Sequence, residues 1–71
     1  MNQYRITRLT EDEDKPKRIG IFHKQRRDII AVIYCDQLIS FNNKHEFSLQ
    51  ELQMVTDIAN NFQLIYDSLS D

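Results

Sequence analysis

The stretch Phe47–Leu69 (FSLQELQMVTDIANNFQLIYDSL) constrains this fold more than any other, because it reads as one long amphipathic helix. Its start is marked by a capping box. The Ser48 hydroxyl is spaced to accept from the backbone N–H three residues on, and Glu51 to reach back to the Ser48 N–H. Phe47 and Leu52 occupy the two positions of a hydrophobic staple, which sets the angle at which the chain enters the helix. Leu52, Val55, Ile58, Ala59, Phe62, Ile65, Tyr66 and Leu69 then recur at spacings of three and four, forming one apolar stripe. Leu49, Met54 and Leu64 fall outside the stripe or at its edge. Isolated apolar residues of that kind are ordinary on a surface, and Met54 and Leu64 alternatively mark a second contact surface.

Ahead of the helix lie segments with the two-residue alternation of strands. Gln3–Leu9 puts Tyr4, Ile6 and Arg8 on one face and Arg5, Thr7 and Leu9 on the other. Glu11–Asp14 followed by Lys15 and Pro16 breaks that strand, since adjacent like charges repel and Pro16 has no ladder donor. Lys17–Lys24 resumes it, with Ile19, Ile21 and His23 on one face, Phe22 on the other, and Gly20 marking a bulge or a close approach. Ile29–Cys35 (IIAVIYC) is the most apolar run. Strict alternation places Ile30, Val32 and Tyr34 on one face and Ile29, Ala31, Ile33 and Cys35 on the other, with Cys35 a small core residue. Apolar residues on both faces predict a central strand that needs cover on both sides. One helix covers one side, so the other falls to a second copy, a partner, or the short segment Gln37–Phe41.

The expected fold is therefore α+β. A small antiparallel sheet of three to four strands (β-β-β, then Gln37–Phe41 as a short fourth) packs on one long C-terminal amphipathic helix, in a single domain spanning residues 1–71. Seventy-one residues bury only about 60% of the surface of the unfolded chain, and domains this small commonly lean on disulfides, metals or oligomerisation. A single cysteine leaves no internal disulfide, and no metal motif is present, so self-association as a homodimer, or partner binding, is the expected supplement. No leader is read, no apolar run approaches the roughly 20 residues of a membrane span, and the lone thiol fits a reducing, cytoplasmic setting.

Residue patterns that carry chemistry are sparse in this chain. His23 and His45 belong to no zinc spacing, and His23 reads as a strand-end or surface residue. Cys35 stands beside Asp36, whose carboxylate disfavours a thiolate. One glycine in the chain leaves no glycine-rich phosphate loop. No nucleophile is paired with a base, so no enzyme and no cofactor is expected. An unequal distribution of charge stands out instead. Net charge is −2, yet residues 1–27 carry +4 and residues 28–71 carry −6. Lys15, Lys17, Arg18, Lys24, Arg26 and Arg27 crowd a short span with aromatic neighbours, a composition that suits phosphates and stacked bases. It equally suits an acidic protein, or a charged hairpin that keeps a sheet edge from aggregating. The net acidity, and a helix that would repel phosphates, weigh against nucleic acid.

The run Ile29-Ile30-Ala31-Val32-Ile33-Tyr34-Cys35-Asp36, a loop, Phe47-Ser48-x-x-Glu51-Leu52 and then Asp57-Ile58-Ala59 resembles the C-terminal half of a GAF domain, over about residues 18–69. That family has a strand of the type I-G-V-L-Y-x-D, a loop, an F-S-x-x-x-L helix start and an L-A-x-Q helix. Ala31 stands where the family carries glycine, and its N-terminal helix and pocket-closing segments have no counterpart here. The resemblance implies a regulatory or interaction module that pairs through terminal helices. On this reading the chain binds another protein through Met54, Ile58, Phe62 and Ile65 of the helix and Ile29 and Ile33 of the second sheet face. The alternatives are a nucleic-acid-binding dimer using Lys17, Arg18, Lys24, Arg26 and Arg27, and a small-ligand sensor whose pocket is completed by dimerisation.

Overall fold

The computed structural model describes residues 3–9 and 16–69; the acidic run Glu11–Asp14 and Lys15 lie outside them. Strands β1 (Tyr4–Arg8), β2 (Arg18–His23), β3 (Asp28–Tyr34) and β4 (Ile39–Phe41) precede helices α1 (Leu49–Asn60) and α2 (Phe62–Ser68). The sheet is an antiparallel meander in the order β1-β2-β3-β4. The short segment after β3 thus extends the sheet in its own plane and covers neither face.

Turn chemistry sets the two visible hairpins. Lys24–Arg27 connects β2 to β3, and Arg27 closes it with φ 57°, in the left-handed region. Arg27 N–H donates to the His23 carbonyl at 2.8 Å. Between β3 and β4, Gln37 adopts φ 72° and Asp36 Oδ1 accepts from the Leu38 N–H at 3.1 Å, an Asx-type closure. Cys35 belongs to this turn and is exposed. The expected core position fails for Cys35 because the chain leaves the sheet one residue earlier.

Facing residues in the registers share a side of the sheet. Tyr4/His23, Ile6/Ile21 and Arg8/Ile19 pair across β1 and β2, and Ile19/Ile33 and Ile21/Ala31 across β2 and β3. Ile33/Ile39 and Ala31/Phe41 continue this face into β4. The helices cover it, α1 over β3 and α2 over β2. Val55, Ile58, Ala59, Phe62 and Tyr66 close on Ile19, Ile21, Ile30, Ala31 and Ile33 to form the core. Each fully buried isoleucine contributes about 2 kcal/mol.

Two expectations about faces are corrected. Strict alternation in β3 fails because Ile21 faces Ala31 while Phe22 faces Ile29, leaving Ile30 as the extra residue of a bulge. Ile30 and Ala31 are therefore both buried in the core, and Ile29 moves to the opposite face with Val32 and Tyr34. Ile29 and Ile33 do not share a surface: Ile33 is 0% exposed beneath the helices.

The single long helix is also corrected, to two helices of 12 and 7 residues meeting at Asn61. Asn61 has φ −119° and ψ 30°, outside the helical region. Its N–H is shared between the Asp57 and Ile58 carbonyls at 3.2 Å each, and its Nδ2 takes a further bond to Asp57 O at 2.9 Å. Asparagine side chains compete with helical hydrogen bonds in this way. The apolar phase survives the break, because Phe62 and Tyr66 stay buried with stacked rings 5.6 Å apart.

Candidate binding face

The second face of the sheet carries Arg5 and Thr7 from β1, Arg18, Gly20 and Phe22 from β2, Ile29, Val32 and Tyr34 from β3, and Ser40 from β4. None of these except Gly20 is buried, whereas the opposite face of β2 and β3 is almost wholly so. Among the described residues, no helix or strand covers this face. Leu9 lies across it above Gly20, where an added Cβ would meet Leu9 side-chain atoms at 3.2 Å. The lone glycine thus marks a close approach of a side chain, as expected.

Charge on this face has one sign. Arg5 faces Phe22 across the strands, with its guanidinium 5.9 Å from the ring centre. Arg18 faces Tyr34, and its Nε is buried with no hydrogen-bond partner among the described residues. No strand residue on this face is acidic. Asp57 and Asp67 instead lie on the exposed side of the helices, each accepting from the glutamine four residues earlier, Gln53 and Gln63, at 2.9 Å. The sheet thus lies between Arg5 and Arg18 on one side and Asp57 and Asp67 on the other. The objection that the helix would repel an anion held by the basic segment loses force, because helix carboxylates and open-face arginines are on opposite sides.

The expected basic residues do not gather in one place. Lys24, Arg26 and Arg27 are exposed in the β2–β3 turn, and Arg5 joins that end. Arg18 sits at the other end of β2, about 17 Å away by strand rise. Lys17 leans toward the covered side, its Nζ 5.4 Å from the Tyr66 ring. Arg5 was missed as a site residue because it is remote from the basic span in sequence. Its place in the outward half of the β1 alternation is the signal that finds it.

The apolar candidates divide similarly. Ile58 and Phe62 are buried in the core, Met54 and Ile65 are half-buried at its margin, and Ile29 is half-buried on the open face. The large apolar helix side chains that reach solvent most fully are Leu49, 85% exposed, and Leu64, 74% exposed. Leu52, assigned to the staple, is 37% exposed. Phe47 makes edge-on ring contacts with Phe41 and His45 at 5.1 and 4.7 Å.

A second polar arrangement lies on the covered side, where α1 begins. The capping box forms as expected: Glu51 N–H donates to Ser48 Oγ at 3.1 Å, and Ser48 N–H to Glu51 Oε1 at 2.9 Å. The Glu51 carboxylate, 8% exposed, also accepts from the Tyr4 hydroxyl at 2.7 Å and meets His45 Nε2 at 3.1 Å from both oxygens. Burial raises its pKa, but the bonds from Ser48, Tyr4 and His45 outweigh burial and hold it at about 2. The same bond to Glu51, with burial and the carboxylate charge, pushes the Tyr4 hydroxyl up to about 12. His23 completes the group, its ring 5.2 Å from Tyr4 and 5.4 Å from His45, and its Nδ1 accepts from the Arg26 N–H at 3.3 Å. His23 sits at a strand end as expected, but it is buried rather than on the surface. Glu51's oxygens are all engaged in tying β1, the loop and α1 together, which makes this a structural latch. Among the described residues, no group of three or more His, Cys, Asp or Glu side chains is placed to hold a metal ion, and no helix is long and apolar enough to cross a membrane. Compared with protein-family models, curated proteins and solved structures, the chain matches none of them.

Proposed function

We propose that this chain is a non-enzymatic interaction module that holds an anionic macromolecule on the open face of its sheet and acts by regulating that partner. The observation that carries the proposal is the one-sided sheet, with Arg5 and Arg18 on its open face and Asp57 and Asp67 on the far side of the helices. The apolar strip of Ile29, Val32 and Leu9 between the arginines supplies contact area, and the exposed turn Lys24–Arg27 extends the positive field beyond the sheet end. A regulatory module of the GAF-like kind fits this reading, as does a protein partner with an acidic surface.

Retention on immobilised heparin tests the proposal. A chain of net charge −2 is retained only if its charge is segregated. We expect retention that is lost in Arg5→Glu/Arg18→Glu and kept in Asp57→Asn/Asp67→Asn. Absence of retention at low salt, or retention indifferent to the arginine reversal, would overturn it.

Pairing of two copies is a second reading, favoured by Leu49 and Leu64 standing exposed on the helices beside half-buried Met54 and Ile65. Sedimentation of Leu64→Asp against the parent chain tests it. A monomeric parent chain at high concentration would end it.

A further inference from the structure

Resting on the anion-binding reading, we infer that the partner of the open face is single-stranded nucleic acid, with Phe22 and Tyr34 as stacking platforms for its bases. The open face repeats one arrangement. Twice, an aromatic ring on a central strand sits beside an arginine: Phe22 on β2 next to Arg5, with the guanidinium 5.9 Å from its ring, and Tyr34 on β3 directly opposite Arg18. A ring takes the face of a base, and an adjacent guanidinium takes the phosphate that follows it. An acidic polypeptide would use the arginines and leave the rings without a role.

Geometry favours unpaired bases. Phe22 lies four residues along β2 from Arg18, and Tyr34 is one strand across from Arg18. The rings are therefore about 14 Å apart by strand rise and spacing, so they accept two bases with other nucleotides between them. The open face is that of a four-stranded sheet, broader than the single helix or two-stranded ribbon that a duplex groove admits, whereas bases of a single strand are free to splay onto it. Both rings are half-buried, leaving part of each in solvent, while the other tyrosines, Tyr4 and Tyr66, belong to the covered side. At the Phe22 end the exposed turn Lys24–Arg27 continues the track for the phosphate backbone. Arg18, half-buried opposite Tyr34, supplies the positive charge at the other end. The carboxylates that argued against nucleic acid, Asp57 and Asp67, face away from this track.

The test is a fluorescence-anisotropy titration of the full chain into a labelled oligothymidylate of about 15 nucleotides, long enough to span the face. The same titration is run with a duplex of equal length, and polyglutamate and heparin serve as competitors. Phe22→Leu and Tyr34→Leu remove each ring while keeping an apolar side chain, and thermal melting confirms that each variant folds. We expect binding that weakens with salt by about −0.7 in log–log slope for each phosphate held. Each ring substitution should weaken binding by about tenfold, with the duplex bound less tightly than the single strand. If the folded ring variants bind the oligonucleotide as well as the parent does, or the duplex is preferred, the inference is overturned while heparin retention keeps the anion-binding reading standing. If neither oligonucleotide nor heparin binds at low salt, both fall together.

Discussion

The Tyr4 hydroxyl donates to Glu51 Oε2 at 2.7 Å, joining the first strand to the first turn of the first helix across 47 residues of chain. Glu51 thereby serves two levels of structure at once. Locally it caps α1 through Ser48, and globally it pins that helix end to the sheet through Tyr4 and to the preceding loop through His45. A carboxylate accepting several hydrogen bonds in a buried site stabilises only while all of its donors remain.

Removing either partner should therefore be costly and non-additive. We expect Glu51→Ala to lose about 2–4 kcal/mol, combining a lost cap with stranded donors. Tyr4→Phe should lose about 1–2 kcal/mol. The double variant should fall short of the sum by about 1 kcal/mol, because the hydroxyl has no acceptor once Glu51 is gone. Urea unfolding of the four proteins measures this, and strict additivity would show that the bond contributes nothing.

The same pair sets the pH dependence of stability. Glu51 is lowered from 4.5 to about 2, so the folded chain binds this proton less readily than the unfolded chain. Its contribution is complete above pH 4.5 and is lost as pH falls through 2. Tyr4 is raised from 10.0 to about 12, so its contribution is complete below pH 10 and is lost as pH rises through 12. Urea midpoints across pH should fall in both windows. Glu51→Gln should flatten the acid limb and Tyr4→Phe the alkaline one.

The bulge at Ile30 separates neighbouring isoleucines by function. Ile33→Ala removes a fully buried side chain and should cost about 3–4 kcal/mol, whereas Ile29→Ala on the open face should cost about 1 kcal/mol or less. Phe62→Asp should unfold the chain rather than merely separate two copies, since Phe62 is buried within one. Circular dichroism with thermal melting tells these outcomes apart. A folded, monomeric Phe62→Asp chain would contradict the packing described.

At Gly20 the expected effect is small. An added Cβ would meet Leu9 at 3.2 Å, but the contact is with the side-chain end of a half-buried leucine, which can give way. Gly20→Ala should change stability by less than about 1 kcal/mol, the strand preference of alanine over glycine offsetting the displacement. Gly20→Phe, by contrast, should push Leu9 off the face, and its Tm should drop measurably. An equal Tm for the two variants would mean that Leu9 does not rest on this glycine.

The open face was partly legible in the sequence. The alternation in Gln3–Leu9 assigned Arg5 and Thr7 to one side and Ile6 to the other, and the Lys17–Lys24 run separated Phe22 from Ile19 and Ile21, as the registers have them. The dual apolar character of β3 predicted cover on both faces, whereas among the described residues no helix or strand covers the second one. Arg18 was recognised as a cation, but its position opposite Tyr34 was not readable, because it depends on which residue of β3 lies across from it.

Local spacing alone determined the strand segments, the capping box at Ser48 and Glu51, and the apolar stripe that carries Val55, Ile58, Phe62 and Tyr66. These follow from periods of 2 and 3.6 residues and from hydrogen bonds within three or four residues, which a chain cannot satisfy without showing them in its order. The tertiary structure decided the rest. The break at Asn61 leaves the apolar phase intact, so no periodicity reports it; the helices part there, with α1 over β3 and α2 over β2. The bulge at Ile30 comes from pairing with β2, and the Tyr4–Glu51–His45 latch needs segments far apart in sequence to meet. The opposition of open-face arginines to helix carboxylates likewise exists only once a helical layer lies on one side of the sheet, because a linear order of charges carries no information about which side of a layer each will occupy.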